Sequence, residues 1–177
     1  PIRSTFVYNT IVILFGSTNI LMSWIIYPFI AIATFLLMEG ITWCTHRYVM
    51  HGFLWFLHKD HHNPNQHHVF EKNDAFFLIF AIPSFFLILF GVLNGNDIRM
   101  FIGIGIAIYG FCYFLVHDIF IHQRFKIFRN SNNWYLRAIR RAHKMHHKHL
   151  NKEHGECFRM LLVPLKYFRE ERRSEGT

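Results

Sequence analysis

The 177-residue sequence lacks the motifs of several common kinds of chemistry. Its cysteines, Cys44, Cys112 and Cys157, are widely spaced and form no Cys-x-x-Cys pair, so we expect free thiols rather than a disulfide framework or a thiolate metal site. The glycines within residues 103–110 have neither the spacing nor the strand-to-helix setting of a dinucleotide-binding loop. Their apolar surroundings favour close helix packing instead. Thiol, flavin and nicotinamide chemistry therefore find no support in the sequence.

Long stretches without charge are abundant. Hydrophobic residues make up 52% of the sequence and aromatic residues 18%, including 21 phenylalanines. Apolar runs predict four membrane spans, at about residues 6–24, 25–45, 76–93 and 98–116. A run of about 20 residues, at about 1.5 Å per residue, covers a hydrocarbon core of about 30 Å. We therefore expect an all-α, polytopic membrane protein that forms a single domain over residues 1–177.

The positive charge of the sequence is concentrated towards its C-terminal end. The net charge is +8, and 14 of the 19 lysines and arginines lie between Arg124 and Arg173. Such a region suits a nucleic-acid surface, an acidic protein partner or the cytoplasmic flank of a membrane protein, and the apolar runs favour the last. The turn at residues 94–97 contains no basic residue. We therefore expect the histidine-bearing segments and both termini on the cytoplasmic side.

Histidines form two copies of a two-box pattern. HRYVMH and HDIFIH share the spacing H-x4-H, and HKDHH and HKMHH share the spacing H-x2-HH. The ten histidines of these boxes are His46, His51, His58, His61, His62, His117, His122, His143, His146 and His147. A tetrahedral ion takes about four ligands and an octahedral ion about six, so ten imidazoles indicate two metal ions. Imidazole binds iron, zinc, copper and nickel alike, and the Glu-x-x-His motif of soluble di-iron carboxylate proteins is absent.

The two spacings place histidines differently on an ideal α-helix. The three histidines of HKDHH share one face, and we expect them to point into one cavity, as do those of HKMHH. Residues 58–73 are expected to form an interfacial helix that turns into a loop. His46 and His51 lie about 140° apart, as do His117 and His122, at about 100° per residue. Each H-x4-H pair would then flank a site from two sides or reach it where a helix ends.

Acidic residues near the boxes are candidates for orienting the ligands through hydrogen bonds. The candidates are Glu39, Asp60, Glu71, Asp74, Asp118 and Glu153, together with His154. For each acid the alternative is an ordinary interfacial charge. Glu39 is unusual because it lies inside the second predicted span, about 10 Å along the helix from His46, and its role stays open. We expect His67, His68 and His149 to be structural or surface histidines.

With these boxes the sequence resembles the fatty acid hydroxylase superfamily and, within it, the bacterial β-carotene 3-hydroxylases. The matching stretches are HRYVMHGFLWFLHKDHH, FEKNDAFF, HDIFIHQRF, and AHKMHHKH followed by EHGECF and LLVP. Arg159 departs from the small or apolar residue expected at its position. The resemblance implies a membrane di-iron monooxygenase that hydroxylates the β-ionone rings of β-carotene at C3 and C3′, giving zeaxanthin through β-cryptoxanthin. It carries over the ten box histidines as iron ligands.

The resemblance also implies partners and a location. O2 is the co-substrate, and two electrons come from a ferredoxin-type carrier that an NAD(P)H-dependent reductase reduces. We expect the carrier to dock on a basic cytoplasmic face formed by Arg137, Arg140, Arg141 and Lys144, although anchoring on anionic lipid explains the same charges equally well. The implied location is the bacterial inner membrane. No nucleic-acid partner is expected.

Two other functions stay open from the sequence. A related oxygenase of the same superfamily would act on a fatty acyl lipid or a sterol. A membrane metal-binding or transport protein would use histidines to hand ions across the bilayer. Transport favours ligands distributed through the spans, whereas every box here lies at one predicted surface.

Overall fold

The computed structural model describes residues 24–63, 70–125, 127, 131–148 and 156–175. All the regular structure in these residues is helical, as predicted. The helices are α1 (Trp24–Phe53), α2 (Trp55–His58), α3 (Ala75–Leu93, preceded by a 3-10 turn at Lys72–Asp74), α4 (Ile98–Ile121), α5 (Trp134–His147) and α6 (Leu165–Glu175). The three cysteines are free thiols, which confirms the prediction from their spacing.

Three of these helices are long and apolar enough to cross a membrane. They are α1, α3 with its preceding turn, and α4. Large apolar side chains such as Phe77, Phe85 and Leu93 are exposed along α3, where lipid rather than water would cover them. The chain is therefore a membrane protein with spans at three of the four predicted places. The remaining predicted span, at residues 6–24, lies outside the described residues apart from its last position.

Glycines on α4 allow two neighbouring helices to approach it closely. A Cβ atom on Gly105 would lie 2.6 Å from the backbone oxygen of Ala31 on α1. On another side of α4, the Ser84 hydroxyl of α3 donates a hydrogen bond of 2.8 Å to the Gly103 oxygen. The predicted packing role is confirmed for Gly103 and Gly105 but not for Gly110, where a Cβ atom would meet nothing within 4 Å in the described part of the chain.

The histidine-bearing segments meet at one end of the spans, because α1 and α4 end there and α3 begins there. Asn133 caps the start of helix α5, because its side chain accepts hydrogen bonds from the backbone N–H groups of Tyr135 and Leu136. The buried side chains of α5, including Ala138 and Ile139, pack against α6 and the segment before it. These elements form a cap over the ends of α1 and α4.

Candidate metal centre

The two H-x4-H boxes lie in π-helical segments rather than in ideal α-helix. Helix α1 is π-helical over Thr45–Phe53 and α4 over Leu115–Ile121. The His122 N–H donates to the His117 oxygen at 2.9 Å, five positions earlier. This hydrogen-bond pattern widens each turn, so residues five apart lie on one face. The angle of about 140° applies to an ideal α-helix at about 100° per residue and not to these segments. A kink at Gly52 interrupts α1 one residue after His51, where the H-x4-H pair is expected to meet a bend or an end of the helix.

The first H-x2-HH box, HKDHH, differs from its predicted helical geometry, whereas HKMHH lies in helix α5 as predicted. Helix α2 ends at His58, and a turn follows in which the His61 N–H donates to the His58 oxygen at 3.0 Å. The expected interfacial helix from residue 58 is therefore wrong. The histidines of each box do not all face one group of ligand atoms, because each box contributes to two groups.

The ligand nitrogens of nine box histidines form two compact groups. The first histidine group contains His46, His51, His58, His62 and His146, and the second contains His61, His117, His122 and His143. Within each group, the ligand atoms all lie within 4.8 Å of one another. The tenth histidine, His147, lies beside the second group, with its Nε2 atom 2.8 Å from that of His143.

The two groups exchange one histidine between the halves of the chain. Four members of the first group come from residues 46–62, and the fifth is His146 from α5. Reciprocally, the second group takes His61 from the upstream box. In both H-x2-HH boxes it is the middle histidine that crosses over. Neither half of the chain can therefore complete a group alone.

Hydrogen bonds on Nδ1 fix the orientation of three imidazoles in the first group. The Nδ1 atom of His46 lies 3.1 Å from the Phe158 oxygen, and that of His146 lies 2.9 Å from the Glu156 oxygen. The Nδ1 atom of His58 lies 2.7 Å from Oδ1 of Asn73. Since these oxygens only accept, each Nδ1 carries the proton and each Nε2 keeps its lone pair.

The facing Nε2 atoms fit a shared cation. Those of His46 and His58 are 3.2 Å apart, and both carry lone pairs, so they cannot hydrogen-bond to each other. The Nε2 atoms of His51 and His146 are also 3.2 Å apart. Two nitrogens that each lie about 2.1 Å from one ion, at right angles, are about 3.0 Å apart. The donor set and its spacing thus suit a metal ion.

Burial keeps these imidazoles neutral, the form that binds metal. Burial lowers the pKa of His58 to about 2 and that of His146 to about 3, with smaller contributions from neighbouring histidines. The pKa values of His61 and His143 also fall well below the usual range, for the same two reasons. A proton is therefore a poor substitute for a metal cation between the rings.

Carboxylates lie behind two histidines of the second group, His61 and His117, whereas the buried Nδ1 atom of His143 has no hydrogen-bond partner among the described residues. The Nδ1 atom of His61 is 2.7 Å from Oε2 of Glu71. An Asp118 oxygen lies 3.5 Å from Nδ1 of His117. Arg124 joins these acids, with its nitrogens 3.4 Å from Glu71 and 3.0 Å from Asp118. Carboxylates behind histidine ligands orient the rings and raise their basicity.

The other acids predicted near the boxes have different surroundings. Asp60 accepts hydrogen bonds from the His61 N–H and, at its second oxygen, from the Lys72 N–H. It thereby ties the turn after α2 to the start of α3. Asp74 accepts a hydrogen bond from the Arg124 guanidinium, with an N–O distance of 2.6 Å. Glu39 hydrogen-bonds to the backbone of residues 160–162 and to a tyrosine, not to a histidine.

Several of the predicted residues fall outside the described residues. These are Glu153 and His154, and the three histidines assigned to structural or surface roles, His67, His68 and His149.

The fatty acid hydroxylase family profile matches residues 31–161, which include the ten box histidines. The chain belongs to the fatty acid hydroxylase family. No solved structure matches the chain.

Curated relatives of this family member are named β-carotene hydroxylases. The protein from Pantoea ananas is 38% identical over 143 residues, which cover 81% of each chain. The one from Pseudescherichia vulneris is 42% identical over 118 residues, covering 67% of this chain and 66% of that protein. The β-carotene 3-hydroxylase 2 of Arabidopsis thaliana chloroplasts is 37% identical over 105 residues, covering 58% of this chain and 34% of the plant protein.

Some residues of the site in this family member could not be predicted from the spacing of the histidines. Asn73 lies in the quoted stretch FEKNDAFF, but an amide behind a ligand has no spacing rule. The backbone oxygens of Glu156 and Phe158 cannot be predicted as partners, because every residue has a backbone oxygen. Arg124 follows His122 by two positions, and its pairing with Glu71 depends on the tertiary fold.

Proposed function

We propose that this protein is a membrane di-iron monooxygenase that hydroxylates the β-ionone rings of β-carotene at C3 and C3′. The products would be β-cryptoxanthin and then zeaxanthin. The observation that carries the proposal is the pair of interlocked histidine groups at one end of apolar helices. The printed names of the relatives favour a carotenoid as substrate.

The two histidine groups would each hold one iron ion. Bound iron supplies the activation of O2 and the removal of hydrogen from a ring carbon, so no side-chain nucleophile is needed. The chain holds the ligands through Nδ1 hydrogen bonds and excludes water by burying them. Phe158 packs against the rings of His46 and His146, and the Trp55 ring lies 5.0 Å from that of His51.

Electrons would come from a ferredoxin-type carrier with an NAD(P)H-dependent reductase. Within the expected docking face, Arg137 pairs with Glu171 at 3.0 Å and Arg141 pairs with Glu170 at 3.0 Å. Lys144 is exposed on the same helix and would contribute most to attraction. Turnover with the carrier should fall as the salt concentration rises. It should also fall in Lys144→Glu, whereas Arg99→Gln, at the other end of α4, should keep the wild-type turnover. Salt-independent turnover would contradict this docking.

The proposed location is the bacterial inner membrane, with the metal centre on the cytoplasmic side. The basic residues at the histidine-bearing end of the spans support this orientation.

Expression in cells that accumulate β-carotene tests the proposed function. We expect β-cryptoxanthin and zeaxanthin, detected by pigment analysis. His61→Ala should abolish conversion while membrane insertion is retained, and His67→Ala should change conversion little. If well-expressed, iron-loaded protein left β-carotene unmodified, the carotenoid assignment would be wrong. Oxygenated acyl lipid or sterol would then indicate a related hydroxylase, and ion flux without an oxygenated product would indicate transport.

A further inference from the structure

Glu39 is a buried carboxylate inside a membrane span, and four donors surround it. The backbone N–H groups of Met160, Leu161 and Leu162 donate to its Oε1 atom at 3.2, 3.0 and 2.9 Å. The Tyr109 hydroxyl donates to its Oε2 atom at 2.7 Å. Three successive N–H groups that converge on one oxygen form a backbone nest for an anion. An unpaired acid inside a membrane span would be costly, and these four hydrogen bonds offset that cost for Glu39.

The segment held by Glu39 is the strap, which we define as residues 156–163, between the undescribed residues 149–155 and helix α6. The strap supplies the Phe158 and Glu156 oxygens that accept hydrogen bonds from the Nδ1–H groups of His46 and His146. The Phe158 ring lies 5.4 Å from the His46 ring and 5.2 Å from the His146 ring. One short segment therefore orients two ligands of the first group and covers them.

The strap has a second attachment, on the cap. The Tyr135 hydroxyl of α5 donates to the Leu161 oxygen at 2.7 Å, and Val163 lies in the hydrophobic core beside Ile139. This attachment fixes the end of the strap nearest α6. Glu39 fixes the same turn from the membrane side, so the strap is clamped between α1 and α5.

We propose that Glu39 is a positioning residue for the first histidine group. Its carboxylate holds the strap, and the strap holds the imidazoles of His46 and His146 in the orientation that presents Nε2 to metal. The inference rests on the metal-binding part of the proposed function and not on the identity of the substrate. It also assigns a role to an acid that the sequence marks as unusual but leaves unexplained.

The test compares three replacements of Glu39 with one control. Glu39→Ala and Glu39→Met remove the acceptor, and Met also fills the volume if Ala fails to accumulate. Glu39→Gln keeps one acceptor oxygen for the nest. The control, Ser84→Ala, removes a buried intramembrane hydrogen bond that does not involve the strap. Each purified, iron-loaded protein is measured for amide hydrogen exchange at residues 160–162 and for the rate at which a chelator removes each iron ion.

Removal of the acceptor should speed amide exchange at residues 160–162 by about tenfold or more, since the loss of hydrogen bonds to a charged group exceeds about 1.4 kcal/mol. One of the two iron ions should also leave about tenfold faster, while the other leaves at the wild-type rate. Glu39→Gln should restore most of both properties, and Ser84→Ala should leave both unchanged.

Three results would overturn the inference. They are wild-type exchange at residues 160–162 in Glu39→Ala or Glu39→Met, fast exchange with both ions leaving at the wild-type rate, and no restoration by Glu39→Gln. Failure of the proposed function has a different signature. Two tightly held ions and a protected strap in a protein that converts no β-carotene would support the role of Glu39 and overturn the substrate.

Discussion

His58 and His61 are three residues apart, yet their Nδ1 atoms contact different kinds of group. His58 faces an amide oxygen of Asn73, and His61 faces a carboxylate oxygen of Glu71. Neutral oxygens also orient His46 and His146 of the first group, whereas in the second group the Nδ1 atoms of His117 and His143 have no hydrogen-bond partner within the part of the chain that the structure describes. Carboxylate partners make an imidazole a stronger donor to metal. The two metal sites are therefore expected to differ in affinity.

Replacing Glu71 by Gln tests the carboxylate contact at the second group. The amide keeps the size of the side chain but loses the charge that strengthens the His61 ligand. We expect metal affinity at one site to fall about 10- to 100-fold, measured by competition with a chelator. Asp97→Asn is the control, because Asp97 pairs with Arg99 at the far end of α4. Equal affinities in Glu71→Gln and wild type would contradict a role for this carboxylate.

At the residue scale, the sequence identifies the ten histidines of the boxes but not how they divide between the two groups. Repeated spacing is a local property, so the boxes can be recognised without a fold. The crossing of His61 and His146 depends on how α2, α4 and α5 meet, and no local rule contains that information. The acids Glu71 and Asp118 could be named as candidates because they lie near boxes, whereas the Phe158 oxygen could not.

Among the helices, too, some features could be predicted from the sequence and others could not. Apolar runs predict where α1, α3 and α4 lie, because burial in lipid requires a stretch of about 20 such residues. Helices α1 and α4 continue beyond the predicted span ends at residues 45 and 116, because a π-helical segment lies at the end of each. A periodicity of 3.6 residues hides these segments, whereas the H-x4-H spacing itself indicates i to i+5 geometry.

Two glycines on α4 offer a matched pair for testing helix packing. A Cβ on Gly105 would meet the Ala31 oxygen, whereas a Cβ on Gly110 would meet nothing within 4 Å. Gly105→Ala should therefore destabilise the protein by about 1–3 kcal/mol through overpacking. Gly110→Ala should be neutral or stabilising by up to about 1 kcal/mol, because alanine favours helix. Thermal unfolding in detergent measures both, and equal melting temperatures would contradict the close packing of α4 on α1.

In the whole molecule, both halves of the chain contribute histidines to one buried cluster. The upstream half brings α1 and α2, and the downstream half brings α4, α5 and the strap. Each half contributes a histidine to the group that the other half mainly builds. Folding of the cap and assembly of the metal centre should therefore be one event rather than two.

The stability of the metal-free protein should decrease in acid. The pKa values of His58 and His146 are about 2 and about 3 in the folded protein, against about 6.5 in the unfolded chain. The unfolded state therefore binds more protons below about pH 6.5, so stability falls as pH decreases through that range. Unfolding midpoints should be level above pH 7 and fall steeply from about pH 6.5 to 5. A level profile down to pH 5 would contradict the buried, neutral histidines.

The central claim is that two metal ions in the histidine groups use O2 to hydroxylate a carotenoid ring. Purified protein with iron, β-carotene and a reduced carrier should be supplied with heavy-isotope O2 in ordinary water, and the products analysed by mass spectrometry. We expect one heavy oxygen atom in every new ring hydroxyl and about two iron ions per active chain. Hydroxyl oxygen derived from water, or full activity with no bound metal, would contradict the central claim.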